Sequence, residues 1–393
     1  MAGRIGAMVG LAAGAATGYV VREVMHAVTS RKQDEQAPPE PSAGRAPQTG
    51  PSAGTAPAPR TAGDGVDPHR QQPTAGPAPL AEEGRAAAKP TSVVYPALPP
   101  ARTAAHPPPP VMYQGSQLTE LPWRLPAQPA PPGMAADSAR VGDLEVRAAS
   151  VVGAGHRIDE TNASPRQDAY RVGRDAASRH LVVAVADGMS DSPHSDTAAA
   201  VAALALVNAL RRQLDEGVPL LRLDHASAFL EAAGQVHAVA RQRHWPADSV
   251  RTVATAAVVP AAAGPDGGRD LWLAGLGDTT AWVRRPQRWS LKLGDKQRGF
   301  DAGRLDAYLP HTPEAVRQQL VRLAPGDVLA LTSDGVGDAL ADLPEAHDWF
   351  HRQWASPVSA FELLLHINYD SHQRNDDRTA VVVWPWPPEG GRR

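Results

Sequence analysis

Four aspartates flank apolar runs in the C-terminal two thirds of the chain, where their carboxylates could act together. Asp187 ends the run VVAVAD and Asp334 ends VLALTSD, and a glycine follows each of them. Asp168 lies in RQDAY, and Asp376 comes shortly before the last apolar run. A strand that stops at Asp-Gly lets the carboxylate project beyond the sheet, because glycine permits a tight turn. One Asp-Gly alone is ordinary turn chemistry, but the order and context of all four predict a shared site.

Carboxylates that converge from separate strands would bind divalent cations. Mg²⁺ and Mn²⁺ prefer oxygen ligands and keep several of their waters. Two such ions can share a bridging water, and the lowered pKa of that water supplies hydroxide near neutral pH. The same ions offset the charge of a phosphoryl group during in-line displacement. The aspartate pattern therefore favours metal-assisted phosphoryl chemistry.

The composition excludes several other classes of protein. The 393 residues carry a net charge of −3 without a dense Lys/Arg stripe, so we expect no nucleic-acid partner. The chain has no cysteine, which excludes disulfides, thiol catalysis and zinc–thiolate sites. Most of the 39 prolines lie between residues 31 and 140, so only the C-terminal part can build one large core.

The N-terminus contains an uncharged run, residues 5–21, at the lower length limit for a membrane-spanning helix. Four glycines recur in it at every fourth position: Gly6, Gly10, Gly14 and Gly18. On a helix they would form a stripe for self-association with a second helix. We expect residues 1–32 to form a transmembrane or glycine-zipper helix, with a signal peptide or a soluble Ala/Gly-rich segment as alternatives. If the run spans a membrane, the basic residues after it place the catalytic domain in the cytoplasm.

Residues 33–140 are dominated by Pro, Ala, Gly and Gln, and few of them are aromatic. Such a segment cannot recover its conformational entropy by burial, so we expect a disordered or partly polyproline II linker. Within it, Pro107–Pro110 would act as a stiff spacer or dock into an aromatic groove of a partner. A single folded domain is expected at 141–388.

The domain alternates apolar runs with Ala/Leu-rich segments. The runs predict strands at 144–152, 180–187, 252–260, 271–277, 280–285, 289–294, 327–334 and 379–386. Helices are predicted at 195–214, 224–243, 344–354 and 357–370. Because the strands come in series that a pair of helices interrupts, the pattern favours an α+β fold with two packed antiparallel sheets flanked by helices.

Five segments, in order, carry a resemblance to a known family: HRIDETNASPRQDAY, VVAVADGM, LWLAGLGDTTAWV, LAPGDVLALTSDGVGD and NDDRTAVVV. Together they resemble the motif series of the PP2C (PPM) metal-dependent serine/threonine protein phosphatases of bacterial type, over about residues 144–386. The resemblance implies a central antiparallel β-sandwich flanked by helices (αββα). It also implies two metal ions, Mg²⁺ or Mn²⁺, in a cleft at one end of the sandwich.

The resemblance also implies roles for individual residues. Asp187 would bridge both metals, with the Gly188 carbonyl as a further ligand. Asp334 and Asp376 would bind the first metal. Asp376 is assigned in preference to Asp377 by the register of the motif, in which Asp377 takes the position where the family usually has Asn.

Two further aspartates complete the implied site. Asp168 would be an acid beside the second metal, acting through water, and Asp248 would bind a third, weaker metal together with Asp334. Asp278, in LGDTT, is interpreted as structural support for the cleft rather than as a ligand.

The sequence departs from the family pattern at three places near these residues. Gln167 replaces a usual Glu, so it contributes no charge to the second metal. Ala163 stands where many members have a phosphate-binding Arg, and Arg166 is either its replacement or an exposed loop cation. Met189 replaces the His that is thought to protonate the leaving group in eukaryotic members. His156 and His194 are candidates for that role by position only.

The leading hypothesis is metal-dependent hydrolysis of phosphoserine and phosphothreonine on a phosphorylated protein substrate. The alternative is a catalytically weak, phosphatase-like scaffold or binding protein, tethered to a membrane, which the departures at Ala163, Gln167 and Met189 motivate. Calorimetry with Mn²⁺ separates the two hypotheses, because absence of binding favours the scaffold and a two-site isotherm favours the enzyme.

Overall fold

A computed structural model describes four segments of the chain: residues 123–158, 164–294, 305–369 and 375–385. The predicted N-terminal helix, its glycine stripe, Pro107–Pro110 and Ala163 lie outside these segments, as does the predicted linker up to residue 122. Within the four segments, none of the helices has both the length and the apolar character that a membrane crossing requires.

The described segments contain eleven strands. In chain order they are β1 Met134–Val141, β2 Leu144–Val151, β3 Ala169–Arg174, β4 His180–Gly188, β5 Thr252–Pro260, β6 Arg269–Leu276, β7 Thr280–Arg284, β8 Trp289–Leu293, β9 Arg317–Leu323, β10 Val328–Thr332 and β11 Arg378–Pro385. They form a six-stranded sheet in the order β1-β2-β11-β10-β7-β8 and a five-stranded sheet in the order β3-β4-β5-β6-β9. Neighbouring strands are antiparallel throughout, which confirms the predicted α+β class.

Six α-helices accompany the sheets in the described segments. They are α1 Ala154–Ile158, α2 Ser195–Asp215, α3 His225–Gln242, α4 Asp334–Asp342, α5 Pro344–Gln353 and α6 Ala360–Ile367. Helices α2 and α3 share a hydrophobic core with the five-stranded sheet. Helices α4 to α6 share another with the six-stranded sheet. A third core lies between the two sheets, so the layers run helix, sheet, sheet, helix.

Strand β4 shows how the sequence specifies this layering. Val183 and Val185 pack between the two sheets, whereas Ala184 and Ala186 pack on the opposite face against the α2–α3 pair. A strand buried on both faces needs a continuous apolar run rather than an alternating one. The run that ends at Asp187 meets that need, and it places the aspartate where the buried strand ends.

Two predicted boundaries differ from the structure. Strand β1 begins at Met134, inside the segment predicted to be a linker, because this edge strand is half exposed and carries few large apolar residues. Asp334 does not end a strand as predicted: β10 stops at Thr332, and Asp334 is the first residue of α4.

Candidate metal centre

Asp187 and Asp334 meet at the point where the two sheets end together. Asp187 lies near the end of β4 in the five-stranded sheet, and Asp334 follows β10 of the six-stranded sheet. The backbone N–H of Asp334 donates to the Asp187 carboxylate at 3.3 Å. The Thr252 hydroxyl donates to the Asp187 carbonyl at 2.6 Å, which fixes the backbone there. The fold therefore brings together two aspartates that are far apart in sequence.

Gly188 is required here by close packing. A Cβ atom on this residue would lie 2.8 Å from the Gln167 carbonyl oxygen and 2.8 Å from the Ser195 Cβ. Real Cβ atoms do not approach other atoms so closely, so only glycine fits without displacing both neighbours. This packing holds the backbone after Asp187 against the start of α2 and against the residue that precedes Asp168.

The segment that carries Asp376 and Asp377 lies between two glycines. A Cβ on Gly153 would lie 2.2 Å from the Asp376 carbonyl carbon. A Cβ on Gly335 would lie 2.1 Å from the Asp377 carbonyl oxygen. The backbone that precedes β11 therefore packs directly against the start of α1 on one side and against α4 on the other.

Asp377 is the buried carboxylate that joins these elements. It is 1% exposed. One oxygen accepts a hydrogen bond from the backbone N–H of Gly153 at 2.6 Å, and the other accepts from that of Gln167 at 2.5 Å. Its first oxygen also lies 3.0 Å from His156 Nδ1. Since two of these contacts position the backbone beside the metal-site candidates and the third holds the His156 ring, Asp377 serves to organise the site.

His156 forms a group with two of these carboxylates. One potential ligand atom from each of His156, Asp376 and Asp377 lies within 4.8 Å of the others, a spacing that could hold a metal ion. Burial alone would lower the pKa of His156. Its hydrogen bond to Asp377 and the charges of Asp377, Asp376 and Asp168 instead raise the pKa to about 9. Sequence reasoning named His156 only as a candidate acid, because nothing local indicates a carboxylate partner 221 residues away.

Asp168 lies inside the same cluster. It is 3% exposed, and neither carboxylate oxygen makes a hydrogen bond of ordinary geometry in the described residues. Burial and the charge of Asp377 raise its pKa to about 7, while the nearby hydroxyls of Ser333 and Thr379 oppose the rise. A buried carboxylate with such weak hydrogen bonding is costly unless a cation lies beside it.

Burial and repulsion between neighbouring carboxylates also raise the pKa values of Asp187 and Asp376. Burial, followed by the charges of Asp168, Asp334, Asp376 and Asp278, raises the pKa of Asp187 well above its usual range. Burial and the Asp377 charge raise the pKa of Asp376, although His156 acts in the opposite direction. A divalent cation would relieve both the desolvation and the repulsion. Oxygen donors at a buried, like-charged cluster therefore fit Mg²⁺ or Mn²⁺.

Two predicted site residues make contacts with partners outside the carboxylate cluster. The Asp248 side chain is 85% exposed and pairs with His311 Nε2 at 3.0 Å, so it lies at the surface rather than among the buried carboxylates. Arg166 is 8% exposed, and its Nε donates to the Pro132 carbonyl at 3.1 Å. The interpretation of Arg166 as an exposed loop cation is therefore wrong. Burial lowers its pKa, and the charge of nearby Asp168 counters part of that effect.

His194, the other candidate acid, makes a structural contact. Its ring stacks on Trp245 with 3.6 Å between the ring centroids and 12° between the ring planes. Its backbone N–H donates to the Ser249 carbonyl at 2.8 Å. These contacts fix the loop before α2, and neither of them involves the clustered aspartates.

Known proteins show similarity to this chain in sequence and in fold. Residues 152–362, more than half of the chain, match the family model described as Protein phosphatase 2C. A comparison with curated proteins gives no match. The fold is similar to that of the Mycobacterium tuberculosis serine/threonine phosphatase PstP/Ppp, with 20% identity, a TM-score of 0.38, and coverage of 61% of this chain and 97% of the other.

Two more solved structures are similar over the same extent. PppA, described as a key regulatory component of the T6SS in Pseudomonas aeruginosa, shares 20% identity with a TM-score of 0.43, covering 63% of this chain and 99% of its own. The S. agalactiae serine/threonine phosphatase shares 14% identity with a TM-score of 0.45, covering 64% and 99%. On the family match over residues 152–362, the chain belongs to the Protein phosphatase 2C family.

Proposed function

We propose that this protein hydrolyses phosphoserine and phosphothreonine monoesters on protein substrates, using divalent metal ions bound by Asp187, Asp334 and Asp376. Membership of the phosphatase family supports the class of reaction. The observation that carries the assignment of residues is the 3.3 Å hydrogen bond from the Asp334 backbone to the Asp187 carboxylate. It joins the ends of two different sheets at a group of mutually repelling carboxylates, of which Asp168 and Asp187 are buried.

The chain's own residues prepare this cleft for the reaction. When bound, the metal ions supply an activated water and offset the charge of the phosphoryl group. Asp187, with the Gly188 carbonyl, lies on the side of the five-stranded sheet, and Asp334 and Asp376 lie on the opposite side. Asp168 contributes a buried negative charge that attracts cations. Asp377 fixes the backbone on which Asp168 and Asp376 lie, so the ligands need little rearrangement when metal binds.

The number and identity of the ions belong to the same proposal. Two ions are expected, since the carboxylates approach from both sheets. A third, weaker ion near Asp248 stays a prediction. The carboxylate of that residue is largely exposed and lies beside His311. Oxygen ligands suit Mg²⁺ and Mn²⁺ alike. Arg166 stays a predicted phosphate-binding residue, and its bond to the Pro132 carbonyl engages Nε rather than the terminal guanidinium nitrogens.

The N-terminal segment has a separate role in this proposal. Residues 5–21 tether a cytoplasmic catalytic domain to a membrane, and the glycine stripe mediates self-association of that helix. The uncharged run and the basic residues after it support this role. The full chain should stay with membranes after an alkaline carbonate wash, whereas a chain that begins at residue 33 should be released. Release of both chains would contradict the tether.

Replacement of Asp187 tests the catalytic proposal. Asp187→Asn should reduce Mn²⁺-dependent hydrolysis of a phosphothreonine peptide by the full-length protein by about 100-fold or more, because a neutral amide would hold divalent cations much more weakly than a carboxylate. The matched control is Asp270→Asn, an exposed aspartate that pairs with Arg322 at 3.1 Å. Turnover by Asp187→Asn equal to that of the control would contradict the proposal. Absence of turnover and of Mn²⁺ binding in the wild type would favour the scaffold alternative.

A further inference from the structure

The imidazole of His156 is held by one nitrogen, while the other faces a proposed metal ligand. Nδ1 lies 3.0 Å from the Asp377 carboxylate, and Nε2 lies 3.8 Å from the Asp376 carboxylate. The ring is largely buried, with 15% of the side chain exposed, so its orientation is fixed by packing as well as by hydrogen bonding. The family site as implied by the resemblance has only oxygen ligands, so the one role given to this ring so far is that of a candidate acid.

The Asp377 contact determines which nitrogen is available. The two oxygens of this carboxylate already accept backbone N–H groups from Gly153 and Gln167, so the carboxylate acts as an acceptor toward the ring as well. Nδ1 is then the nitrogen that keeps its hydrogen, and Nε2 is the nitrogen directed away from Asp377, where a metal ion would bind by displacing any proton on it. A histidine that binds metal through one nitrogen almost always donates the other N–H to a carboxylate, carbonyl or water. His156 and Asp377 have that arrangement.

The distance on the other side of the ring fits a shared ion. Bonds from nitrogen or oxygen to small divalent cations are about 2.1 Å long, so two ligands of one ion lie at most about 4.2 Å apart. The 3.8 Å between Nε2 and the Asp376 oxygen is within that limit. Asp376 is 37% exposed, so an ion can reach this side of the cluster from solvent. The buried Asp168 carboxylate, which lacks a hydrogen bond of ordinary geometry, adds an independent demand for positive charge nearby.

We propose that Nε2 of His156 is a ligand of the divalent ion bound by Asp376, with Asp377 as the positioning residue that orients the ring. The inference rests on the proposed function, because it concerns an ion of the same site. It gives that ion a mixed nitrogen and oxygen ligand set. Imidazole suits first-row transition metals better than Mg²⁺, so the site should discriminate in favour of Mn²⁺ and Co²⁺. An all-oxygen site would discriminate less.

Pulsed electron paramagnetic resonance of bound Mn²⁺ tests this directly. The full-length protein is stripped of metal with EDTA, freed of chelator and given one equivalent of Mn²⁺. A nitrogen bonded directly to Mn²⁺ modulates its signal at ¹⁴N frequencies. Oxygen ligands do not produce this modulation. We expect the modulation in the wild type and its loss in His156→Gln. The same variant should bind Mn²⁺ about 10-fold or more weakly by calorimetry, with a smaller loss for Mg²⁺.

His180→Gln is the matched control. His180 Nδ1 also lies against a buried aspartate, 3.1 Å from Asp175, but at the start of β4, whereas Asp187 lies near its end. Seven residues along a strand separate the two by about 23 Å. The control should keep both the modulation and the wild-type Mn²⁺ affinity.

The outcomes separate this inference from the proposed function. Wild-type protein that binds Mn²⁺ and hydrolyses phosphopeptide without ¹⁴N modulation would overturn the His156 ligand and leave the phosphatase assignment intact. Modulation that persists in His156→Gln would also overturn it. Wild-type protein that binds no Mn²⁺ would contradict the proposed function itself. Because the wild-type spectrum alone decides the first case, a variant that fails to fold does not protect the inference.

Discussion

This molecule contains two histidine–aspartate pairs that have the same side-chain contact in different surroundings. The His156–Asp377 pair and the His180–Asp175 pair have Nδ1–oxygen distances of 3.0 and 3.1 Å, and both carboxylates are 1% exposed. The first pair joins residues 221 positions apart, among other carboxylates. The second closes a turn between residues five positions apart. The pair alone therefore does not indicate function, and the surrounding charges and the sequence separation do.

The backbone donors show the difference most clearly. Asp175 accepts hydrogen bonds from the backbone N–H of Arg179 at 2.7 Å and of His180 at 3.0 Å, both on the same oxygen. Asp377 instead receives one N–H on each oxygen. An amide could replace the first carboxylate, because its one oxygen still accepts both donors. It could not replace the second without placing its own NH₂ against a backbone N–H.

The largest effect should follow a substitution at Gly153, whose N–H donates to Asp377. A Cβ there would lie 2.2 Å from the backbone of Asp376, so Gly153→Ala should lower the free energy of unfolding by about 3 kcal/mol or more. Gly234→Ala is the control, since a Cβ at this position in α3 meets nothing within 4 Å. It should raise stability by about 0.5–1 kcal/mol. Urea denaturation measures both, and equal effects would show that the 376–377 segment can move away.

Asparagine at each aspartate of the two pairs comes next. Asp377→Asn should reduce kcat by about 100-fold. The NH₂ of the new amide would face one of the two backbone N–H groups, and the resulting shift would misplace Asp376 and Asp168. Asp175→Asn should leave kcat within about twofold, because the turn that Asp175 closes lies at the opposite end of β4 from Asp187. Steady-state hydrolysis of a phosphopeptide at saturating Mn²⁺ makes the comparison. Similar kcat losses in both variants would refute the distinction drawn between the pairs.

The sequence could predict one side of the site and not the other. Asp187 was predictable because a strand buried on both faces leaves a continuous apolar run, and the run ends at the aspartate. Asp334 was recognised by the same signal, although it begins a helix. The His156–Asp377 contact has no local signal, since chain folding alone joins residues so far apart. Asp377 was set aside in favour of its neighbour, and its two buried backbone contacts appear only in three dimensions.

The edge strand β1 escaped prediction for a related reason. Strand β1 carries mostly small and half-exposed residues, so its sequence does not differ from the low-complexity segment before it. Arg166 shows the same limit, because burial of a loop cation depends on Pro132, which sequence does not place beside it. Patterns of apolar residues report the centre of the sandwich, whereas the rim of the site depends on long-range contacts.

Removal of metal should produce a smaller effect that again separates the pairs. The folded-state pKa values of Asp168, Asp187 and Asp376 are raised, so the folded protein binds more protons than the unfolded chain above their ordinary pKa values. Stability then falls as pH rises, for Asp168 between 3.8 and about 7. In EDTA the free energy of unfolding should fall by on the order of 2 kcal/mol from pH 5 to pH 8. Mn²⁺ should remove most of that fall.

The Asp175 carboxylate should respond with the opposite sign. Burial would raise its pKa, but hydrogen bonds from His180 and Arg179 lower it below the ordinary value. Its contribution is therefore complete above the unfolded pKa and is lost only as pH falls through the lowered one. Urea denaturation in EDTA across pH 5 to 8 should show that the free energy of unfolding of Asp175→Asn falls with pH as steeply as that of the wild type. A shallower fall in this variant would mean that the two regions titrate together.

The smallest effect should come from His180 itself. His180→Gln removes one partly exposed contact to Asp175 but keeps both backbone N–H donors, which belong to the main chain. Loss of such a contact costs about 0.5–1 kcal/mol at most, since water replaces the partner. Thermal unfolding should show a shift of a few degrees or less, with kcat and Mn²⁺ affinity unchanged. A comparable shift in kcat for His180→Gln and His156→Gln would mean that ring burial, rather than the surrounding carboxylates, gives His156 its role.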